Sequence, residues 1–144
     1  TLVAAGIPIR VIPGITAGIG GLAYAGIPVT HRDINQSVTF VTGHDQTGGH
    51  PGTLDWPAIS RASEVIVVYM GMKHAPEIAA ALMDAGRPPS EPVAVVCCAT
   101  TAAQQVLETT LGTLVADIAA RALAPPAVIC IGRAALMRRA LDWP

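Results

Sequence analysis

Glu64-Val65-Ile66-Val67-Val68-Tyr69-Met70-Gly71-Met72 makes the strongest structural statement in the chain. Val65 to Tyr69 are all β-branched or aromatic, and both alternating sets of side chains are apolar. A strand built from them has two faces to bury, which calls for helices on each side of a sheet. Working outward, further strand patterns occupy residues 7–12, 37–42, 92–97 and 127–131, beside 64–70 itself. The 37–42 run partly alternates, as a less covered strand would. Helical spacing fills the gaps: 16–25, 75–85, 100–106, 114–123 and 132–141. In 75–85, Ile78, Leu82 and Ala85 share a face, with Gly86 as the stop and Pro88-Pro89 beyond it. Strands alternating with helices predict an α/β domain of three layers on a five-stranded sheet, mostly parallel or mixed.

Composition agrees with a single buried-core domain. Of 144 residues, 51% are hydrophobic and 13% charged, enough apolar surface to offset the entropy of ordering. A formal charge of −1 supplies no electrostatic footprint for nucleic acid or anionic lipid. Few charges and a mean hydropathy of +0.50 point instead to a surface that meets another protein surface. Cys97, Cys98 and Cys130 are odd in number and sit in apolar runs, where cysteine acts as a small buried residue in a reducing, cytoplasmic compartment. Residues 11–30 carry no charge, but five glycines and two prolines argue for turn, helix and turn rather than a membrane span. Residues 1–6 read as the last turns of a helix ending at Gly6, and residues 45–55 as a Gly-rich surface loop. The abrupt start suggests part of a larger protein.

Ligands of open α/β sheets bind at the C-terminal strand ends. Three segments fall there. Val11-Ile12-Pro13-Gly14-Ile15-Thr16-Ala17 runs through a tight turn into a helix start, whose free N–H groups suit an anion. Gly18, Gly20 and Gly21 follow, each costing about 1 kcal/mol relative to alanine. Either a neighbouring element or a ligand must approach that backbone. Tyr69-Met70-Gly71-Met72-Lys73 ends the central strand in a turn, and Met70 suits either core filling or a flat apolar ligand. In His31-Arg32-Asp33, Arg32 is either half of a surface ion pair or a fork for a substrate carboxylate. The four histidines, at 31, 44, 50 and 74, share no metal-ligand spacing, so no metal is expected.

These segments resemble the uroporphyrinogen-III C-methyltransferases, the tetrapyrrole methylases that also form a module of siroheme synthases. The resemblance lies in 11–17, Tyr24 to Asp33, Val41-Thr42-Gly43-His44, Leu54-Asp55-Trp56, Tyr69 to Met72, Pro92 to Val96, Gly112-Thr113-Leu114, Ile131-Gly132-Arg133 and Leu141-Asp142-Trp143. It implies the C-terminal domain of a two-domain homodimeric enzyme, with S-adenosyl-L-methionine held between the domains and S-adenosyl-L-homocysteine released. The N-terminal domain, with the family's acid/base groups, lies outside the sequence, so no catalytic residue is assigned. By the same resemblance, Thr16, Ala17, Met70 and Ala99 contact the cofactor and Arg32 the substrate. The implied reaction methylates C2 and C7 of uroporphyrinogen III to give precorrin-2, on the way to siroheme or cobalamin. One departure is Cys97-Cys98-Ala99-Thr100 where the family commonly has Glu-Asn-Gly-Thr. Two rival readings are a methylase of another precorrin ring and a non-catalytic dimerisation or binding module.

Overall fold

The computed structural model describes residues 1–44, 52 and 54–141. Chain order gives a π-helical turn Ala17–Gly21 running into α1 (Leu22–Tyr24), then β1 (Val38–Thr42), α2 (Trp56–Ala62), β2 (Val65–Tyr69) and α3 (Ala75–Asp84). β3 (Pro92–Cys97), β4 (Gln105–Thr110), α4 (Leu114–Ala120), β5 (Ala127–Ile131), a 3-10 turn Arg133–Met137 and α5 (Arg138–Leu141) complete it.

The strands form one sheet in the order β1-β2-β5-β3-β4. Only β1 and β2 pair in parallel; β5 runs antiparallel to both β2 and β3, and β4 antiparallel to β3. The sheet is therefore mixed. β1, β2 and β3 do share one direction, but β5 separates β2 from β3, so the mostly parallel alternative fails.

The three layers follow from alternation within the central strands. Ile66 and Val68 join Val93, Val95, Ile129 and Ile131 in a core against α2, α3 and α4. Val65 and Val67 join Ala94, Val96, Val128 and Cys130 on the other face, beneath Leu22, Ile27 and the 3-10 turn. All four β2 residues from Val65 to Val68 are fully buried, as the unbroken apolar run requires.

Two expected elements are replaced. Residues 7–12 form no strand: they are exposed, with Val11 at 84% and Ile12 at 81%. Pro8 removes a ladder donor from that run and Pro13 ends it, which the β-branched residues alone do not reveal. The fifth strand is β4, which overlaps the helix expected at 100–106. Within residues 105–110 Leu107 is the one buried side chain, so this edge strand carries no clean alternation. The helix-forming Ala102, Ala103, Gln104 and Gln105 favour the helix reading instead. α2 was also missed, although Asp55 caps it, accepting from Ala58 N at 2.9 Å, and Pro57 stands in its first turn.

Glycines stand at the turns: Gly26 and Gly86 beyond helices at φ +76° and +96°, and Gly6 at +68° in a hydrogen-bonded turn rather than at the end of the expected helix. Each closes its turn with paired bonds, such as Arg87 N to Leu82 O at 3.0 Å with Gly86 N to Met83 O at 2.9 Å. α4 ends in the same pattern, but with Ala122 in the left-handed position at φ +49°. Among the described residues no helix is long and apolar enough to cross a membrane. The 45–55 loop, His50 included, and residues 142–143 lie largely outside the described residues.

Candidate functional site

The end of the sheet where β1, β2 and β3 finish and β5 begins carries a cavity of about 700 Å³. Its walls come from separate parts of the chain. Ala17 enters from the π-helical turn and His44 from the loop after β1. Met70, Met72 and Lys73 come from the corner after β2, and Cys98 and Ala99 from the corner after β3. Pro126 and Ala127 close the side at the start of β5. Apart from Lys73 and His44 the lining is mainly apolar, with a size and character suited to a small flat ligand.

Close backbone approach assembles it. Gly43 N donates to Tyr69 O at 2.6 Å, and a Cβ on Gly43 would lie 2.4 Å from Gly71 Cα. Only a glycine lets the loops after β1 and β2 meet that closely. On the other side a Cβ on Gly21 would stand 3.0 Å from the Ala99 Cβ, so the glycine-rich turn packs directly on the corner after β3. For Gly18, Gly20 and Gly21 the close neighbours are protein atoms, which favours the packing reading of those glycines.

The corners are strained. Among the described residues, four non-glycine residues have left-handed backbones: Met70 (φ +54°), Cys98 (+47°), Thr100 (+66°) and Ala122. The first two line the cavity and the third adjoins Ala99. Such conformations cost about 1–2 kcal/mol each and persist where the surroundings enforce them, characteristically at ligand sites. The Cys98 corner is enforced: its N–H donates to Pro126 O at 2.9 Å, and its carbonyl accepts from Thr101 Oγ1 at 2.7 Å. Met70, 53% exposed, does not fill core; it stands open at the cavity.

Of the residues singled out in the sequence, Ala17, Met70 and Ala99 share this cavity. Thr16 stands beside it, its hydroxyl 2.6 Å from Tyr69 Oη. Arg32 does not join them. It is exposed on the 31–35 turn, which leads into the other end of β1 and is pinned by buried Asn35, whose Nδ2 donates to Val29 O and Ser37 O. The cysteines also divide. Burial pushes the Cys97 thiol up, helped by Cys98, and raises Cys130 to about 12, whereas Cys98 is half-exposed in the cavity rather than buried. Among the described residues no group of three or more His, Cys, Asp or Glu side chains could hold a metal ion.

The opposite end of the sheet holds a larger groove of about 850 Å³, but its polar floor is committed. Arg87, 8% exposed, pairs with Glu91 at 2.5 Å and donates to the carbonyls of Ser60, Ser63 and Glu64. Sequence reading passed over Arg87; its place directly after the Gly86 stop was the available signal. Burial holds the Glu91 carboxyl above its ordinary value despite the guanidinium.

The fold and this cavity define a methylase of a particular kind: the chain belongs to the tetrapyrrole (corrin/porphyrin) methylase family, whose model matches residues 1–115. It is 57% identical over 143 residues to a uroporphyrinogen-III C-methyltransferase of Sinorhizobium sp., a match covering 99% of this chain and 51% of that protein. Against a siroheme synthase of Chromobacterium violaceum it is 46% identical, covering 30% of that protein. The chain thus spans about half, or less, of the curated relatives it matches. A solved uroporphyrin-III C-methyl transferase from Thermus thermophilus, complexed with S-adenyl homocysteine, superposes with a TM-score of 0.74 at 29% identity, covering 92% of this chain and 56% of that one.

Proposed function

We propose that this chain provides one wall of the S-adenosylmethionine site of a C-methyltransferase acting on uroporphyrinogen III, methylating C2 and C7 to give precorrin-2. The observation that carries the reading is the meeting of Ala17, Met70 and Ala99, from three distant segments, in one apolar cavity at the strand ends. The relatives' names and the Thermus thermophilus structure complexed with S-adenyl homocysteine support the same donor. The lining fits that molecule: Met70 and Met72 offer polarizable surface to an adenine ring, and the rigid Cys98-Ala99 corner offers backbone polar groups beside it.

Bound there, the donor would supply an electrophilic methyl group on its sulfonium. This chain's residues bind and orient. The strained Cys98 corner is held by the protein's own hydrogen bonds with Pro126 O and Thr101 Oγ1, so little ordering of it remains to be done on binding. With a second wall in place, the apolar lining would help keep water from the adenosine. In such a transfer the ring carbon would supply the electron pair of the new C–CH3 bond, the S–CH3 pair would leave with the neutral thioether, and the ring proton would go to a base, a part for which nothing in this cavity is assigned. Arg32, at the other end of β1, has no part in the donor pocket.

We further propose that the second wall comes from another domain of the same protein, consistent with the share of each relative that the match covers and with the apolar exposure of residues 1–16. A homodimer would cover part of the same surface.

Calorimetry with S-adenosylhomocysteine on the full-length protein tests the donor site. Met70→Arg is expected to weaken binding at least a hundredfold, since a guanidinium stem would occupy the adenosine space. Unchanged affinity overturns the reading. Incubation of the full-length protein with uroporphyrinogen III and the donor should yield a dimethylated product by mass; a product formed only from another precorrin ring would reassign the substrate. The 144-residue chain by itself is expected to bind at least tenfold more weakly than the full-length protein, because a one-walled cleft excludes little water.

A further inference from the structure

We infer that the Tyr69 hydroxyl is a positioning group, capping the glycine-rich turn from a neighbouring strand and so fixing Ala17 against Met70 across the cavity. The inference rests on the donor-site reading above and adds a residue that reading does not use.

Thr16 has the extended backbone of a helix N-cap, φ −81° and ψ 145°, yet its side chain makes no capping bond to its own turn. Its Oγ1 instead lies 2.6 Å from Tyr69 Oη. The same Oη accepts the Gly18 N–H at 2.9 Å. The next two donors of the turn, Ile19 N and Gly20 N, go to Thr16 O at 3.1 and 2.8 Å. Tyr69 thus serves the Gly18 N–H, the kind of donor a capping side chain ordinarily serves, from more than fifty residues away along the chain.

Sterics make the contact specific. A Cβ on Gly18 would meet Tyr69 Oη at 2.3 Å, Tyr69 Cζ at 2.7 Å and Phe40 Cε1 at 2.8 Å. The turn therefore lies flat against the phenol, and the Phe40 ring stacks on Tyr69 from β1 with centroids 6.0 Å apart. Any residue larger than glycine at position 18 would lift the turn off.

The phenol is a strut between the two walls. At its oxygen end it holds Thr16 and Gly18, the residues on either side of Ala17. At its backbone end it is bonded to Met70, the left-handed corner opposite. Phenylalanine would keep the ring stack and lose only the strut's oxygen. Gly18 N–H would then lack its partner, and the turn would spend time undocked. A site competent for a tenth of the time binds tenfold more weakly, about 1.4 kcal/mol.

The test compares wild type, Tyr69→Phe, Thr16→Val and the double variant in the full-length protein. S-adenosylhomocysteine affinity is measured by calorimetry, with donor KM and kcat, Tm without ligand, and hydrogen exchange at the Gly18 amide. Tyr69→Phe should raise Kd and donor KM about tenfold, leave kcat within twofold and Tm within about 2 °C, and speed Gly18 exchange. Thr16→Val should cost less, and the double variant no more than Tyr69→Phe, because both act on one anchor. Tyr69→Phe binding within twofold of wild type overturns the inference, as does a large fall in Tm with affinity unchanged. If Tyr69→Phe does not fold, Thr16→Val decides by the same readings. A wild type that binds no S-adenosylhomocysteine, or a Met70→Arg variant that binds normally, sinks the donor-site reading instead.

Discussion

The two ends of this sheet are built on opposite rules. At the Arg87 end, charge is buried but fully matched, and left-handed backbone is given to glycine: Gly86, and Gly132 at φ +122°, where a Cβ would lie 2.3 Å from Glu64 O. At the Met70 end charge is scarce, and left-handed backbone falls to Met70, Cys98 and Thr100, which have side chains to present. One end is relaxed and saturated; the other holds strain and open apolar surface. The contrast separates stability from binding. Evolution can place a costly conformation wherever a side chain must face a ligand, because the distant end of the same sheet carries enough stability to hold it.

Four substitutions would break or sharpen that contrast. The largest effect is expected from Arg87→Ala, which strands Glu91 and three carbonyls in a buried site: chemical denaturation should show a loss of about 3–5 kcal/mol. Affinity of the surviving folded fraction for S-adenosylhomocysteine should stay within twofold; a selective loss of binding would mean the ends are not independent. Cys98→Gly should do the reverse. Relief of the left-handed strain is expected to stabilise the fold by about 0.5–1 kcal/mol, and binding should weaken severalfold as the corner loosens. Ala122→Gly is the control, giving a similar gain of about 0.5–1 kcal/mol at the end of α4, outside the cavity lining although three residues before Pro125, with no change in binding.

The smallest effect concerns acid stability. Hydrogen bonds from Thr109 and Thr113 hold the Asp117 carboxyl below its usual 3.8. A depressed carboxylate stabilises the fold above its unfolded value and loses that contribution as pH falls through the folded one. Thr109→Val should therefore flatten the decline in stability below pH 3.8. Glu91, raised by burial, contributes with the opposite sign above its usual 4.5, so the two are separable in one pH series. An unaltered acid limb in Thr109→Val would remove Asp117 from the account.

The sequence made legible what depends on local pattern. Val65 to Val68 announced a strand with two buried faces, and Ile78 and Leu82 with Gly86 announced α3 and its end. β4 stayed hidden because only Leu107 among its residues is buried, so burial could not stamp a period on it. Strand direction stayed hidden because the place of β5 is settled by pairings with β2 and β3, at long range in sequence. The site divides likewise. Ala17, Met70 and Ala99 stand at turns that the chain and its family resemblance mark out. Tyr69's second role depends on which atoms its hydroxyl meets, and residue type says only that a half-buried tyrosine seeks a partner.

The place of β5 has a consequence for biosynthesis. The ribosome delivers β1 with β2, and β3 with β4, as two pairs whose inner edges stay bare until residues 127–131 emerge and slot between them. Two-stranded pieces are marginal in water. The nascent polypeptide must therefore keep two sticky borders apart until β5 is made, and the centre of this sheet is the part of it assembled last.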